Sequence, residues 1–362
     1  MKISKIPGCG SFGVFIDDVN FNNMTDEQWT DIGKIHLKEM VTIIRGAKLD
    51  KDTYYKWMRK WGKDRMTFWG LLFQKYPWWN GKLDSIMTHP DVSEDDKNSI
   101  WGFFRVREGV GQEQGNIIRV SGKKDEYGNP LGMFAEGELL WHSNESGNIA
   151  FAPGVALLGM EGTTKSATGF LTTVDYYQDV SESFRSELDE MILLHNFTPG
   201  KINPGLNSNQ DNLMYKNMAP DPNAEIPMVI RSPGGHKGLH YSFNTVTGIK
   251  GMSDAEALKV LEKIKSELEV DKYIYDHWYQ EDGDLCLFDN SITQHRRLGS
   301  TDNRLCLRYQ YDYTNLQDEP WMPYLQQPYI NSYIDRISFV VNAMQNKEFK
   351  LPKKETYEAL AS

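Results

Sequence analysis

The sequence predicts a mixed α+β fold in which a double-stranded β-helix (jelly-roll) core is flanked by helices. Short strand-like runs recur through the second half of the chain with long excursions between them. Only a few segments show the apolar periodicity of amphipathic helices. No internal repeat and no interdomain linker is visible, so residues 1–362 are expected to form a single domain.

Three helices are predicted from apolar residues that recur every three or four positions. Ser253 and Glu256 form a capping-box pattern before the third helix, because each side chain can bind a backbone amide near the other. His195, at the end of the second helix, is interpreted as a structural residue that satisfies the helix C-terminus and not as a metal ligand. The helices span residues 26–39, 181–195 and 254–268.

Short strands are predicted between these helices and after them. The last strand has the clearest alternation, with Arg304, Cys306, Arg308 and Gln310 on one face and Leu and Tyr residues on the other. A strand face with two arginines is costly to bury unless an anion lies against it. The strands span residues 155–160, 169–175, 227–231, 239–244, 284–288 and 304–312.

Two segments interrupt this pattern. Residues 66–98 are rich in Trp, Phe, Tyr and Met and then become acidic, which predicts a helical insertion packed on the core or at a subunit interface. Residues 197–226 contain many Gly, Pro, Asn and Asp, and long irregular stretches of this kind are often lids over a binding site.

The composition argues against several classes of partner. The net charge of −10 disfavours a nucleic-acid backbone, because such partners require a basic face. The chain has no apolar run of about 18 residues, so no membrane span is predicted, and no signal-peptide pattern opens it. Three cysteines without a C-x-x-C motif suit a reducing compartment. We therefore expect a cytoplasmic protein that binds a small molecule. The sequence is compatible with a homo-oligomer.

The chemistry is carried by two histidines that are far apart in the sequence. His142 lies in the run Trp-His-Ser-Asn that ends at Asn144, and His295 lies in the downstream run Asn-Ser-Ile-Thr-Gln-His. Two imidazoles and one short oxygen-bearing side chain are what a mononuclear non-haem iron(II) site requires. If residues 140–144 are extended, His142 and Asn144 point to the same side, with Cα atoms roughly 6–7 Å apart.

Taken singly, each of these residues is more often structural than functional. A lone histidine is commonly a hydrogen-bonded core residue, and two arginines on a strand can be ordinary ion-pairing residues. The ordered set is what indicates a function. Arg304, which follows His295, adds a guanidinium fork that matches a carboxylate.

The chain resembles the taurine dioxygenase and 2,4-dichlorophenoxyacetate dioxygenase family of iron(II)/2-oxoglutarate-dependent oxygenases. Residues 137–144 resemble the family's first metal motif, residues 152–158 the strand after it, and residues 283–295 the second motif. The N-terminal residues 1–62 resemble the family's opening less specifically. The resemblance implies a catalytic domain that uses Fe(II), 2-oxoglutarate and dioxygen (O2).

The resemblance also implies a role for individual residues. His142 and His295 match the two histidine ligands, and Asn144 falls where the family has its carboxylate ligand. Arg304 matches the arginine that binds the distal carboxylate of 2-oxoglutarate, and Arg308 a second arginine that reaches toward the substrate or the cosubstrate.

A threonine that contacts 2-oxoglutarate is less clearly placed by the resemblance. The family has it after a Gly-Gly pair, which this chain lacks. Thr168 is the candidate and Thr172 the second choice. At residues 197–226 the resemblance places a substrate-covering loop, which makes Asn207, Asn209 and Tyr215 candidate substrate contacts.

Asn144 leaves three interpretations open. It can ligate iron as a neutral amide, or Glu145, the next residue, can supply the carboxylate. Alternatively the carboxylate is absent, as in related halogenases or in an inactive relative. Halogenases have a small residue at that position, and Asn is larger.

The function expected from the resemblance is hydroxylation of an unactivated C–H bond in a small anionic or zwitterionic substrate. The alternatives are a halogenase-like variant and a non-catalytic binding protein with a degenerate metal site. A zinc hydrolase using the same histidines is disfavoured, because it would give Arg304 no role.

Overall fold

A computed structural model describes the chain over residues 1–8, 10–62, 76–79, 83–94, 96–97, 100–101, 117–124, 126, 128, 131–135, 137–144, 146, 152–195, 224–242 and 245–317. Residues 66–75, 80–82, 95 and 98 of the predicted helical insertion at 66–98 and residues 197–223 of the predicted lid lie outside these ranges. Glu145 and the candidate contacts Asn207, Asn209 and Tyr215 also lie outside the described residues.

Two helices of the described residues begin and end at the positions that local sequence signals predict. The first and last helices match the predicted bounds, and both carry a capping box, formed by Thr25 with Gln28 and by Ser253 with Glu256. The helices are α1 (Asp26–Glu39), α2 (Lys51–Met58), α3 (Leu83–Met87), α4 (Val174–Asp179), α5 (Glu182–Glu190) and α6 (Asp254–Leu268). Single 3-10 turns span Phe21–Asn23 and Asp271–Tyr273.

The strands of the described residues form one large sheet and three smaller ones. The strands are β1 (Lys2–Lys5), β2 (Val14–Asp17), β3 (Val41–Ile44), β4 (Ile118–Ser121), β5 (Leu139–His142), β6 (Gly154–Glu161), β7 (Ser166–Thr172), β8 (Ile192–His195), β9 (Ala224–Pro227), β10 (Val229–Arg231), β11 (Lys237–Leu239), β12 (Val246–Ile249), β13 (Ile274–Trp278), β14 (Leu285–Asp289), β15 (Thr293–Gly299) and β16 (Leu305–Tyr311). The seven-stranded sheet has the order β1-β2-β3-β14-β6-β16-β4, and a four-stranded sheet has the order β13-β7-β15-β5. A three-stranded sheet has the order β12-β8-β9, and β10 pairs with β11.

The seven-stranded and four-stranded sheets pack face to face. Phe288 of β14 and Phe170 of β7 share one buried core, and their ring centroids lie 5.4 Å apart. The opposite face of the large sheet packs against α1 and α2, where Tyr309 of β16 shares a second core with Trp29. The alternation predicted for β16 follows from this, because successive side chains enter different cores. The mixed α+β class is confirmed, and the jelly-roll path of the chain stays a prediction.

The prediction of one helix over residues 181–195 was wrong. Helix α5 ends at Glu190, and residues 192–195 form β8 between β9 and β12. His195 is therefore not at a helix end. It is buried in the strand, where its Nδ1 lies 3.0 Å from Oγ1 of Thr245. Pairing with two strands distant in sequence decides this segment, and apolar spacing alone cannot reveal such pairing.

Smaller differences concern strand ends. The predicted strand at 227–231 is divided at Met228 between β9 and β10, and the one at 239–244 ends at Leu239. Cys286 and Cys306 are buried free thiols in strands β14 and β16. Among the described residues, no helix is both long and apolar enough to cross a membrane.

His36 gives a testable pH dependence of stability far from the candidate site. Burial lowers its pKa to about 3, and its Nε2 lies 2.6 Å from the Tyr313 hydroxyl. Because the folded-state pKa lies below the unfolded value, stability is present above pH 6.5 and is lost as the pH falls toward 3. The free energy of unfolding should therefore be about 2 kcal/mol lower at pH 5 than at pH 7.

Urea unfolding at pH 7 and pH 5 measures this effect. The His36→Phe variant keeps an aromatic ring in the core but cannot take up the proton. Its free energy of unfolding should therefore fall by about 2 kcal/mol less between pH 7 and pH 5 than that of the unchanged protein. An identical loss in both proteins would show that His36 is not the group that titrates.

Candidate metal and cosubstrate site

The fold brings the two histidine motifs together on neighbouring strands. Strands β5 and β15 are antiparallel, and His295 lies directly opposite His142 in their register. The ring centroids are 4.1 Å apart. Side chains opposite each other in an antiparallel pair project from the same face, so both imidazoles lie on one side of the small sheet.

Both imidazoles are neutral at pH 7 and so can bind a metal ion. Nδ1 of His142 lies 2.7 Å from the Leu140 carbonyl oxygen, which fixes the proton on Nδ1 and leaves the Nε2 lone pair for a ligand. Desolvation, together with the positive charge of Arg308, lowers the pKa of His142 to about 4. Burial also holds the pKa of His295 well below its ordinary value.

Asn144 is placed by a tertiary contact and not by strand geometry. Strand β5 ends at His142 and Asn144 lies in a turn, so the condition under which His142 and Asn144 would share one side of a strand is not met at Asn144. The Asn144 N–H donates to Oδ1 of Asn290 at 2.8 Å, and Nδ2 of Asn290 donates to the Asn144 carbonyl at 2.9 Å. Nδ2 of Asn290 also donates to the Ala152 carbonyl at 3.0 Å.

The side chain of Asn144 is bound to Arg308. Its Oδ1 accepts a hydrogen bond from the Arg308 guanidinium at 3.1 Å. Its Nδ2 is buried and has no hydrogen-bond partner among the described residues. A guanidinium is only a donor, so the contact also fixes which end of the amide is the oxygen.

These residues line a cavity between the two large sheets. Arg304 and Arg308 reach it from the seven-stranded sheet, and Thr168, His295 and Arg297 reach it from the four-stranded sheet. The described lining residues are Val120, Phe134, Leu139, His142, Asn144, Leu157, Thr168, Phe288, His295, Arg296, Arg297, Arg304 and Arg308.

Arg304 and Thr168 are joined through Tyr279, which sequence reasoning missed. Arg304 is 1% exposed, and its Nε has no hydrogen-bond partner among the described residues. Its guanidinium carbon lies 5.9 Å from the centroid of the Tyr279 ring, and the Tyr279 hydroxyl lies 2.9 Å from Oγ1 of Thr168. Thr172 does not line the cavity, and its Oγ1 accepts from the Val174 N–H at 3.2 Å.

Arg297 lines the cavity and was missed by the sequence reasoning. It lies two positions after His295, and period-two alternation along β15 would have placed it on the same face. It is buried, and its guanidinium donates to the carbonyls of Phe134, at 2.6 Å, and of Gly137. Burial, together with the nearby charge of Arg304, lowers its pKa to about 10, so it stays charged at pH 7.

The residues fit an iron(II) ion in part. His142 and His295 provide two neutral nitrogen ligands, which such an ion accepts. Within the described residues, no group of three or more His, Cys, Asp or Glu side chains could hold a metal. The third protein ligand is therefore not a carboxylate of the described part of the chain. The nearest candidate is the Asn144 amide, whose oxygen already accepts from Arg308.

Comparison with known proteins agrees with the motifs. The model of the family described as taurine catabolism dioxygenase TauD, TfdA family matches residues 2–310. No curated protein matches the sequence. A taurine dioxygenase from Burkholderia xenovorans has a similar structure, with a TM-score of 0.58 and 15% identity over 94% of this chain and 98% of that one. AAD-2, solved in complex with Mn(II) and N-oxalylglycine, gives a TM-score of 0.56 and 15% identity over 90% of this chain and 100% of that one.

At such low identity the structural similarity shows the fold alone, whereas the family match extends over most of the sequence and includes both histidine motifs. The chain therefore belongs to the TauD/TfdA family and is an iron(II)- and 2-oxoglutarate-dependent dioxygenase, as its two histidine motifs predict.

Proposed function

We propose that the cavity is the active site and that it hydroxylates an unactivated C–H bond of a small anionic or zwitterionic substrate. The observation that carries this proposal is the cross-strand pair of His142 and His295, whose ring centroids lie 4.1 Å apart. Arg304 lines the same cavity, so one space can hold both the metal at the histidines and the 2-oxoglutarate carboxylate at the arginine.

His142 and His295 hold iron(II) through neutral imidazole nitrogens in this proposal. The bound ion supplies the centre at which 2-oxoglutarate and dioxygen react. Arg304 binds the distal carboxylate of 2-oxoglutarate through its guanidinium. Thr168 contributes a hydroxyl to the same pocket, and Tyr279 orients that hydroxyl through their hydrogen bond.

The charge of the cavity supports an anionic group on the substrate. Arg297, Arg304 and Arg308 are all buried, and the described lining residues include no carboxylate. Three buried guanidinium groups around one space make its potential positive, which favours the entry of an anion. The 2-oxoglutarate dianion satisfies part of the requirement, and Arg308 is the residue proposed to face the substrate. The walls of the cavity are apolar elsewhere, which keeps water from the reacting groups.

Anaerobic titration of the apoprotein with iron(II) and 2-oxoglutarate tests this function. A competent site should produce the weak visible charge-transfer band of the chelate when both components are present, and neither component alone should produce it. Correctly folded protein that gives no band would leave the proposal without support and would favour a non-catalytic binding role.

A further inference from the structure

The connection from β4 to β5 contributes to one side of the cavity between the two large sheets. These strands stand last in the order of their sheets, β4 in the seven-stranded sheet and β5 in the four-stranded sheet. Met133, in the connection, lies along the large sheet, because its N–H donates to the Arg119 carbonyl at 2.8 Å and it forms a bridge with Val120. Phe134 follows at once, lines the cavity and packs against the core between the sheets. Phe134 is therefore part of the cavity wall.

Phe134 has a backbone conformation that a bulky residue rarely adopts. Its φ of 55° lies in the left-handed region, where the Cβ atom is crowded. Gly137, three positions later, also has a positive φ, of 71°, which glycine adopts without this cost. Such a conformation at a phenylalanine persists only where surrounding contacts impose it.

Arg297 of β15 provides contacts of this kind. Its guanidinium is buried and donates to the Phe134 carbonyl at 2.6 Å and to the Gly137 carbonyl. A guanidinium presents its donors in a rigid planar fork, so two carbonyls bound to one fork are held at a fixed separation. The bond to the Phe134 carbonyl also fixes the peptide plane beside the Phe134 Cα atom, and with it the direction of the side chain.

Arg297 also borders the part of the cavity proposed to receive the cosubstrate. It lies directly opposite Thr168 in the register of β15 and β7, so the two side chains project from the same face. Arg304, whose charge acts on Arg297, lines the same cavity. Thr168 and Arg304 are the residues proposed for the cosubstrate, and Arg304 for its distal carboxylate. The wall that Arg297 holds is thus next to the far end of a bound 2-oxo diacid.

We infer that Phe134 limits the length of the 2-oxo diacid that the cavity accepts, and that Arg297 is a positioning residue that holds Phe134 in place. The inference rests on the proposed function, since it takes Thr168 and Arg304 as the cosubstrate end. The five-carbon diacid 2-oxoglutarate fits inside the wall. The six-carbon diacid 2-oxoadipate has the same charge but one more methylene, which brings its distal carboxylate against the Phe134 ring.

Anaerobic titration of the iron(II)-loaded, full-length protein with each diacid tests the inference without turnover. Both compounds present the same 2-oxo carboxylate group to the metal, so the visible charge-transfer band of the chelate reports the binding of either. The measured quantity is the dissociation constant of 2-oxoadipate divided by that of 2-oxoglutarate. In the unchanged protein this ratio should be at least about ten, which is the lower end of what a pocket achieves for one methylene.

Variants of Phe134 test the wall itself. In Phe134→Ala the ratio should approach one, because the longer diacid gains the space of the ring. Phe134→Leu keeps an apolar side chain in the wall and should give an intermediate ratio. Tyr275→Ala is the matched control, because Tyr275 is a half-buried aromatic residue that packs against the same core but is not among the described residues that line the cavity. Its ratio should equal that of the unchanged protein.

Variants of Arg297 separate positioning from charge. Arg297→Met removes both bonds to the wall and should lower the ratio as Phe134→Ala does. Loss of the charge alone would weaken both diacids by the same factor, since both are dianions, and would leave the ratio unchanged. Arg297→Lys keeps the charge and donors for the carbonyls, so it should restore most of the selectivity.

Three results would overturn the inference and leave the proposed function standing, because the chelate band would still form. They are a ratio near one in the unchanged protein, an unchanged ratio in both Phe134 variants, and an unchanged ratio in Arg297→Met. Absence of the band with either diacid in correctly folded, unchanged protein would instead remove the proposed function, and the length limit with it.

Discussion

Replacing His295 with alanine should abolish iron(II) binding. The residue contributes one of the two imidazoles among the described lining residues, which offer no third group of comparable affinity. Loss of an outer hydrogen bond alone costs a metal site roughly 10–100-fold in affinity, and loss of a direct ligand should cost more. Anaerobic equilibrium binding followed by a colorimetric iron assay measures the effect.

Strand β13 of the same four-stranded sheet provides a matched control. His277 is equally buried, but its Nε2 lies 2.9 Å from Oδ2 of Asp284 and it does not line the cavity. His277→Ala should lower stability and still bind one equivalent of iron(II). Stoichiometric iron in His295→Ala would contradict the assignment of this residue as a ligand.

Replacing Arg304 with alanine should weaken 2-oxoglutarate binding by about 2–5 kcal/mol, which is a factor of roughly 30 to several thousand. The guanidinium is almost fully buried, so its removal would take from the distal carboxylate of the cosubstrate its proposed charged partner. Iron(II) binding to the two histidines should persist, because Arg304 is not a ligand.

Titration of the visible chelate band with 2-oxoglutarate measures this loss in iron-loaded protein under anaerobic conditions. Arg45→Ala is the control, because that arginine is paired with Asp17 on the surface, with N–O distances of 2.6 and 2.7 Å. An unchanged 2-oxoglutarate affinity in Arg304→Ala would move the carboxylate clamp to another cation, with Arg297 the nearest candidate.

The elements that were predicted correctly are those fixed by neighbouring residues. Helices α1 and α6 have local capping boxes, so their first turns are specified within four positions of sequence. The alternation of β16 could also be predicted from the sequence, because each face of the strand packs in a different core. By contrast, β8 contains apolar residues whose spacing also suits a helix, and only pairing with β9 and β12 makes it a strand.

The candidate site shows the same division. The cavity contains His142, His295, Arg304 and Arg308, which the motifs identify, and Thr168 is placed there rather than Thr172. The turn at Asn144 and the Tyr279 contact depend on partners more than one hundred positions away, for which the sequence carries no local signal. Arg297 could have been found from β-strand periodicity, since it is two positions from a predicted ligand.

Asn290 holds both ends of the segment between Asn144 and Ala152 with one side chain. Its two amide hydrogens bind the carbonyls of these residues, and its oxygen binds the Asn144 N–H, so its donors are fully used. Asn290 also opens the run that ends at His295, so one amide side chain ties the residue that follows the first histidine motif to the start of the second. A change at this single position would therefore disturb both halves of the site at once.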